Sequence, residues 1–259
     1  MRTTTVPAAD GFPLAVQVTG REGGPALLLL QGQANSHRWW TGLREAFEAD
    51  HRVITMDYRG TGGSRGPAAA WSTASFADDA AHVLDALGVA SASLYGTSMG
   101  GRVAQVLAGT RPQLVDRLVL ACTSPGGRHA RERSTDVRRQ LAVPDADRRR
   151  ALHRLFYTDA WPHSPEDSHL LGDPTMTADE ARAHLHASAR HDAWEVLPRV
   201  TAPTLVLHGT DDLMVPADNA ALIASRIAGA TVHLHPGGRH GFFEEHADEV
   251  VPLVRAFLH

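Results

Sequence analysis

Five residues constrain this chain more than any others: Gly96-Thr97-Ser98-Met99-Gly100. They follow an apolar run, Ala92 to Tyr95, and precede a stretch, Val103 to Leu107, whose apolar positions fall at helical spacing. A G-x-S-x-G stretch between a strand and a helix predicts a sharp, strained turn that lifts a serine hydroxyl above the edge of a sheet. Gly96 and Gly100 supply the freedom that such a turn needs. The helix behind the turn aims its amide groups and its dipole back at the serine. The Met99 N–H is the nearest donor to negative charge developing there.

The rest of the chain predicts the sheet around that turn. Phe12 to Val18 and Ala26 to Gln31 are apolar stretches separated by Gly23-Gly24-Pro25, which reads as an antiparallel strand pair entering a buried strand. From Trp39 to Phe47 the period is helical. Strand Val53–Met56, helix Phe76–Leu87, strand Ala92–Tyr95, helix Val103–Leu107 and strand Leu118–Ala121 then alternate. The pattern resumes with strand Thr204–Leu207, helix Asn219–Ile227, strand Thr231–His235 and a last helix over Val250–Leu258. Such alternation implies right-handed crossovers and a mostly parallel sheet buried on both faces, an α/β fold. Between Pro125 and Leu197 it stops. That segment carries Arg-rich runs, Arg128 to Arg139 and Arg148 to Arg154, the aromatics Phe156, Tyr157 and Trp161, and no strand signal. We divide the chain into the first part of an α/β core (1–124), a helical insertion (125–197) and the rest of the core (198–259). An insertion there overhangs the sheet edge where active sites gather.

Composition excludes much. The formal charge of −4 over 259 residues gives no general polybasic surface, so neither nucleic acid nor an anionic membrane is the expected partner. All 25 cationic residues are Arg and none is Lys, which rules out a Schiff base, a phosphate-loop lysine and a Ser–Lys dyad. Cys122 stands alone and cannot form an internal disulfide; with no signal core after Met1 and no apolar run long enough to span a bilayer, a cytoplasmic protein is expected. The 16 histidines raise the question of a metal. His233 and His235 share a strand face, with Val232 and Leu234 expected on the buried one. His184 and His186 fall on different sides of a helix. With no H-E-x-x-H and no cysteine pair, no metal is expected. Gly60 to Gly66 lacks G-x-G-x-x-G spacing, so no dinucleotide cofactor is expected, and Cys122 reads as a small core residue.

A serine nucleophile needs a base, and the base needs a carboxylate to orient it. Two loops after strands offer both: His208-Gly209-Thr210-Asp211-Asp212-Leu213-Met214-Val215-Pro216 and Gly237-Gly238-Arg239-His240-Gly241. The order Ser, Asp, His is then complete. With Asp57-Tyr58-Arg59-Gly60-Thr61-Gly62-Gly63-Ser64, matching a D-x-R-G-x-G-x-S loop after an early strand, these stretches make the chain resemble the α/β-hydrolase superfamily. The resemblance is to its small capped esterases, enol-lactonases and cofactor-free haloperoxidases.

That resemblance implies roles for particular residues. The G-x-x-D-x-x-V-P spacing makes Asp212 the acid and leaves Asp211 to shape the loop, while G-G-x-H makes His240 the base for Ser98. Relatives carry His-Gly after the third strand where this chain has Gln31-Gly32-Gln33, so the second oxyanion donor is assigned to the backbone N–H of Gln33, beside that of Met99. Gln31, Trp39, Trp40 and Trp161 are candidates to wall the substrate pocket. No cofactor is implied. The expected reaction is hydrolysis of a small-molecule carboxylic ester or lactone. The same triad also serves C–C bond hydrolysis, perhydrolysis and lyase or cyclase reactions, and some members of the fold bind a ligand without turnover. Acyl part, alcohol part and oligomeric state are left open.

Overall fold

The chain opens with strands β1 (Arg2–Pro7) and β2 (Pro13–Gly20), followed by β3 (Ala26–Leu30), β4 (Arg52–Met56), β5 (Ala92–Thr97), β6 (Val115–Ala121), β7 (Thr204–Gly209) and β8 (Thr231–His235). In the computed structural model, which describes residues 1–143 and 145–259, they form one sheet in the order β1-β2-β4-β3-β5-β6-β7-β8. β1 and β2 are antiparallel to each other, β2 is antiparallel to β4, and every later pairing is parallel. This is the α/β-hydrolase fold.

Helices fill the crossovers. α1 (Thr73–Ala86) joins β4 to β5, and α2 (Met99–Thr110) joins β5 to β6. α3 (Thr135–Leu141), α4 (Asp145–Phe156) and α5 (Ala178–Ala189) lie between β6 and β7. α6 (Asp218–Ala224) precedes β8, with α7 (Phe242–Glu245) and α8 (Ala247–Leu258) after it. Alternate residues of each central strand enter two separate cores. Leu28, Leu30, Leu94 and Leu120 pack under α1 and α2 with Phe76, Val103 and Leu107. Leu27, Leu29, Tyr95 and Leu207 face Trp39, Trp40, Phe243 and Val254. Both faces are covered, which is why these strands read as continuous apolar runs.

Three sequence expectations are corrected. β2 does not pair with the strand that follows it: β3 is flanked by β4 and β5, so β2 pairs with β4 and with β1, a Thr-rich stretch whose apolar signal is weak. The helical period of Trp39–Phe47 belongs to two single 3₁₀ turns, His37–Trp40 and Arg44–Ala46, separated at Gly42 where φ is +84°. Finally, β8 lies at the sheet edge, so Val232 and Leu234 are exposed, while His235 is buried against Phe242 and His246 at the α7–α8 corner.

Candidate active site

β5 ends at Thr97 and α2 begins at Met99, so Ser98 alone makes the turn. Its φ of +53° and ψ of −118° lie in a region L residues rarely adopt. The surroundings hold it there: Ser98 N donates to the Ala121 carbonyl at 2.9 Å, and the Ser98 carbonyl accepts from Thr123 Oγ1 at 2.7 Å. Close backbone approach explains both glycines. A Cβ on Gly96 would lie 2.5 Å from the Gly100 carbonyl oxygen, and one on Gly100 would lie 2.0 Å from that of Leu30. The second contact draws the start of α2 against the chain leaving β3 at Gln31. Among the described residues, neither the Met99 nor the Gln33 amide N–H has a hydrogen-bond partner. These are the two donors that an oxyanion would need.

The three sequence-predicted residues come together above the turn. His240 Nε2 stands 3.0 Å from Ser98 Oγ, and His240 Nδ1 stands 2.7 Å from Asp212 Oδ2. Both His240 and Asp212 are buried. The loops that carry them touch, since a Cβ on Gly209 would lie 2.1 Å from the Gly238 carbonyl oxygen. Asp212 Oδ1 accepts the amides of Met214 at 2.8 Å and Val215 at 2.9 Å, which orients Oδ2 toward the imidazole. Burial pushes the Asp212 carboxyl upward, but the nearby His240 and His208 outweigh it and hold the group below the usual carboxylate range. An ionised Asp212 takes the Nδ1 proton of His240 as a hydrogen bond. Nε2 is thereby left with its lone pair toward Ser98. Asp211 stays exposed and accepts from Thr210 Oγ1.

Several supporting residues were not singled out from the sequence. His208 is fully buried, with Nε2 2.8 Å from the Val215 carbonyl and 3.3 Å from Asp212 Oδ2. Its position four residues before the acid, at the end of an apolar strand, was the available signal. Asn35 binds the Gln33 carbonyl at 2.9 Å, the Leu170 carbonyl at 3.4 Å and the Gly172 amide at 3.1 Å, joining the β3 loop to the 125–197 segment. The ring of Phe156 meets that of His240 edge-on, with 4.8 Å between centroids.

The four pocket candidates fare differently. Gln31 is fully buried; its Nε2 donates to the carbonyls of Met56 at 2.7 Å and Asn35 at 3.3 Å, so it braces the loop and does not face a substrate. Trp39 and Trp40 are also core residues. Trp39 stacks on Phe243 at 5.8 Å and backs Gly32, where a Cβ would meet its ring at 2.3 Å. Trp40 packs on Tyr95 at 5.1 Å. Trp161 stacks on Tyr157 at 4.9 Å within the insertion, and Phe156 takes the place at the imidazole. Among the described residues, His235, His246 and Glu249 bring potential metal-ligating atoms within 4.8 Å of one another. Two of these form stacked imidazoles, 27° between planes, with ring faces rather than edges opposed, and Glu249 is exposed.

Comparison with known proteins bears on the family and the fold. A family model described as alpha/beta hydrolase fold matches residues 25–151. "Putative carbamate hydrolase RutD" of Variovorax paradoxus (strain S110) is 34% identical over 249 residues, covering 88% of this chain and 90% of that one. "Serine hydrolase BPHL" of Homo sapiens is 29% identical over 266 residues, 99% of this chain and 86% of that one. The structure of the esterase RhEst1 from Rhodococcus sp. ECU1013 superposes with a TM-score of 0.84 at 28% identity, covering 100% of this chain and 98% of that one. The chain belongs to the α/β-hydrolase superfamily. Within it, the relatives support a hydrolase. No helix among the described residues is long and apolar enough to cross a membrane.

Proposed function

We propose that the protein is a serine hydrolase that cleaves a small-molecule carboxylic ester or lactone through an acyl-enzyme on Ser98. One observation carries this reading: the continuous contact from Ser98 Oγ to His240, 3.0 Å, and on to Asp212, 2.7 Å. Ser98 Oγ attacks the carbonyl carbon while His240 Nε2 takes its proton, and Asp212 stabilises the imidazolium. The amides of Gln33 and Met99 hold the oxyanion of the tetrahedral intermediate. Its collapse expels the alkoxide, which takes the proton from His240. Water, deprotonated by the same imidazole, then attacks the acyl-enzyme and releases the acid. The 125–197 segment serves as a lid, with Phe156 touching the base and Trp161 stacked on Tyr157 beside it. The single buried thiol of Cys122 suits a cytoplasmic location.

A second reading has its own support. The 34% identity to a relative named as a carbamate hydrolase favours a carbamate, whose carbonyl would be attacked in the same way. A chain-length panel of p-nitrophenyl esters, run beside p-nitrophenyl carbamates and with Ser98→Ala in parallel, tests both. Turnover of an ester that Ser98→Ala abolishes is the expected result. Carbamate turnover alone would move the assignment to the second reading, and turnover equal in wild type and variant would overturn both.

A further inference from the structure

Arginine is the only side chain that carries fixed positive charge here, and several arginines have an acidic partner. Arg59 binds Asp79 and Asp10, Arg65 contacts Glu180, and Arg138 contacts Glu132 at 3.2 Å. Arg102 and Arg133 differ. Among the described residues, neither makes an ion pair. Arg102 Nη1 donates to the carbonyl of Ser188 at 2.7 Å and to its Oγ at 2.9 Å, and Nη2 donates to Ser124 Oγ at 3.0 Å. The hydrogen-bond contact of Arg133 is between Nη1 and Met214 Sδ at 3.9 Å. Neither side chain is fully exposed.

Their places border the catalytic groups. Arg102 leaves α2 one turn past Ser98, its amide on the Ser98 carbonyl at 3.3 Å. Arg133 lies against Met214, whose own amide is bonded to Asp212. Ser124 and Ser188, the partners of Arg102, stand near the two ends of the 125–197 segment. Burial pulls the Arg102 guanidinium down to about 10, and the charge of Arg133 adds to this while Glu132 opposes it. Arg133 is lowered for the same first reason, burial, against the opposing pull of Glu132 and Asp212. The Glu132 carboxylate that lies near both is engaged by Arg138.

Two half-buried like charges that make no ion pair among the described residues repel each other, and a bound anion relieves them. The guanidinium groups retain donors for one. Among the described residues Arg102 Nε and Arg133 Nε and Nη2 have no partner, yet none is sealed from solvent, in contrast to the unpartnered and sealed Nε of Arg255. A guanidinium presents its N–H groups in a fork that fits a carboxylate. A purely mechanical tie between α2 and α5 would account for the Ser188 bonds of Arg102. It would not account for Arg133, which ties nothing polar.

We propose that Arg102 and Arg133 determine specificity by receiving a carboxylate on the substrate, so that the preferred ester or lactone carries a free carboxylate besides the carbonyl that is attacked. This rests on the serine hydrolase reading above, and the test separates the two. Hydrolysis is measured for two matched pairs: monoethyl adipate against ethyl hexanoate, with the charge on the acyl side, and 4-acetoxybutyrate against butyl acetate, with the charge on the alcohol side. In at least one pair the wild type favours the charged member at least tenfold in kcat/KM, mainly through KM. Arg133→Met lowers that ratio by roughly tenfold or more, Arg133→Lys recovers part of it, and Arg102→Gln lowers it as well. Adipate should inhibit hydrolysis of a neutral p-nitrophenyl ester competitively in the wild type and much less in Arg133→Met. That readout holds even if Arg102→Gln folds poorly. A ratio near one in both pairs, with neutral esters turned over through Ser98, overturns this inference and leaves the serine hydrolase reading standing. A ratio that survives Arg133→Met also overturns it. No turnover of any ester brings down both.

Discussion

Ser98 is held where its own backbone preference is worst, and the residues around it explain how. Gly96 and Gly100 make room for carbonyl oxygens at distances no Cβ could tolerate, and the Ala121 and Thr123 contacts fasten the turn from the β6 side. Gly100→Ala sets a methyl against the backbone of β3, which cannot swing aside as a side chain would. It should cost at least about 2 kcal/mol in urea denaturation and displace the Met99 amide, so that activity falls further than stability predicts. Stability within a few tenths of a kcal/mol of the wild type would refute the close approach. Asp212→Asn acts on chemistry instead. It allows the wrong imidazole tautomer while leaving the shape, and a drop of about 10⁴-fold in kcat is expected from steady-state kinetics.

At the scale of elements, the site is a meeting of loops from the same end of neighbouring parallel strands. The turn after β5 brings Ser98, the loop after β7 Asp212, the loop after β8 His240 and the loop after β3 the Gln33 amide, the groups of the proposed mechanism. Asn35 and its neighbour Ala34 clamp that last loop to the insertion, since the Asp173 amide donates to the Ala34 carbonyl at 2.7 Å beside the bonds of Asn35 to Leu170 and Gly172. Asn35→Ala removes three side-chain hydrogen bonds, two of them across this junction. The expected cost is about 1–3 kcal/mol, together with faster limited proteolysis within residues 157–176 and a raised KM. Unchanged proteolysis would mean that the insertion is held elsewhere.

Over the whole molecule, two cores on opposite faces of one sheet make the platform rigid, and the enclosed acid links that platform to pH. Because folding holds Asp212 below the ordinary carboxylate range, its contribution to stability is complete above about pH 4 and is lost as the pH falls from there toward the folded-state value. Groups shifted the other way by burial, such as Asp79 and Glu244, are common to wild type and variant and cancel in a comparison. The stability difference between wild type and Asp212→Asn, followed by urea titration from about pH 5 to about pH 2, should therefore shrink as the pH falls. A constant difference would mean that Asp212 is not the group responsible.

Alternation of apolar runs and helical stretches determined the parallel sheet, because a strand buried on both faces must be apolar throughout and a parallel crossover needs a helix. The strained turn that G-x-S-x-G implies pointed to Ser98, and the resemblance of the two later loops to those of the α/β-hydrolase superfamily pointed to Asp212 and His240. Contacts between distant segments carry no such local signature. Nothing near Gln31, Trp39 or Trp40 in the chain tells that they are enclosed beneath the loop rather than facing it, and the edge position of β8, which exposes Val232 and buries His235, follows only from its neighbours. The contacts of His208, Asn35 and Phe156, and the absence of ion pairs at Arg102 and Arg133 among the described residues, were likewise decided by tertiary structure. Burial and electrostatic partnership depend on what the rest of the fold places beside a residue.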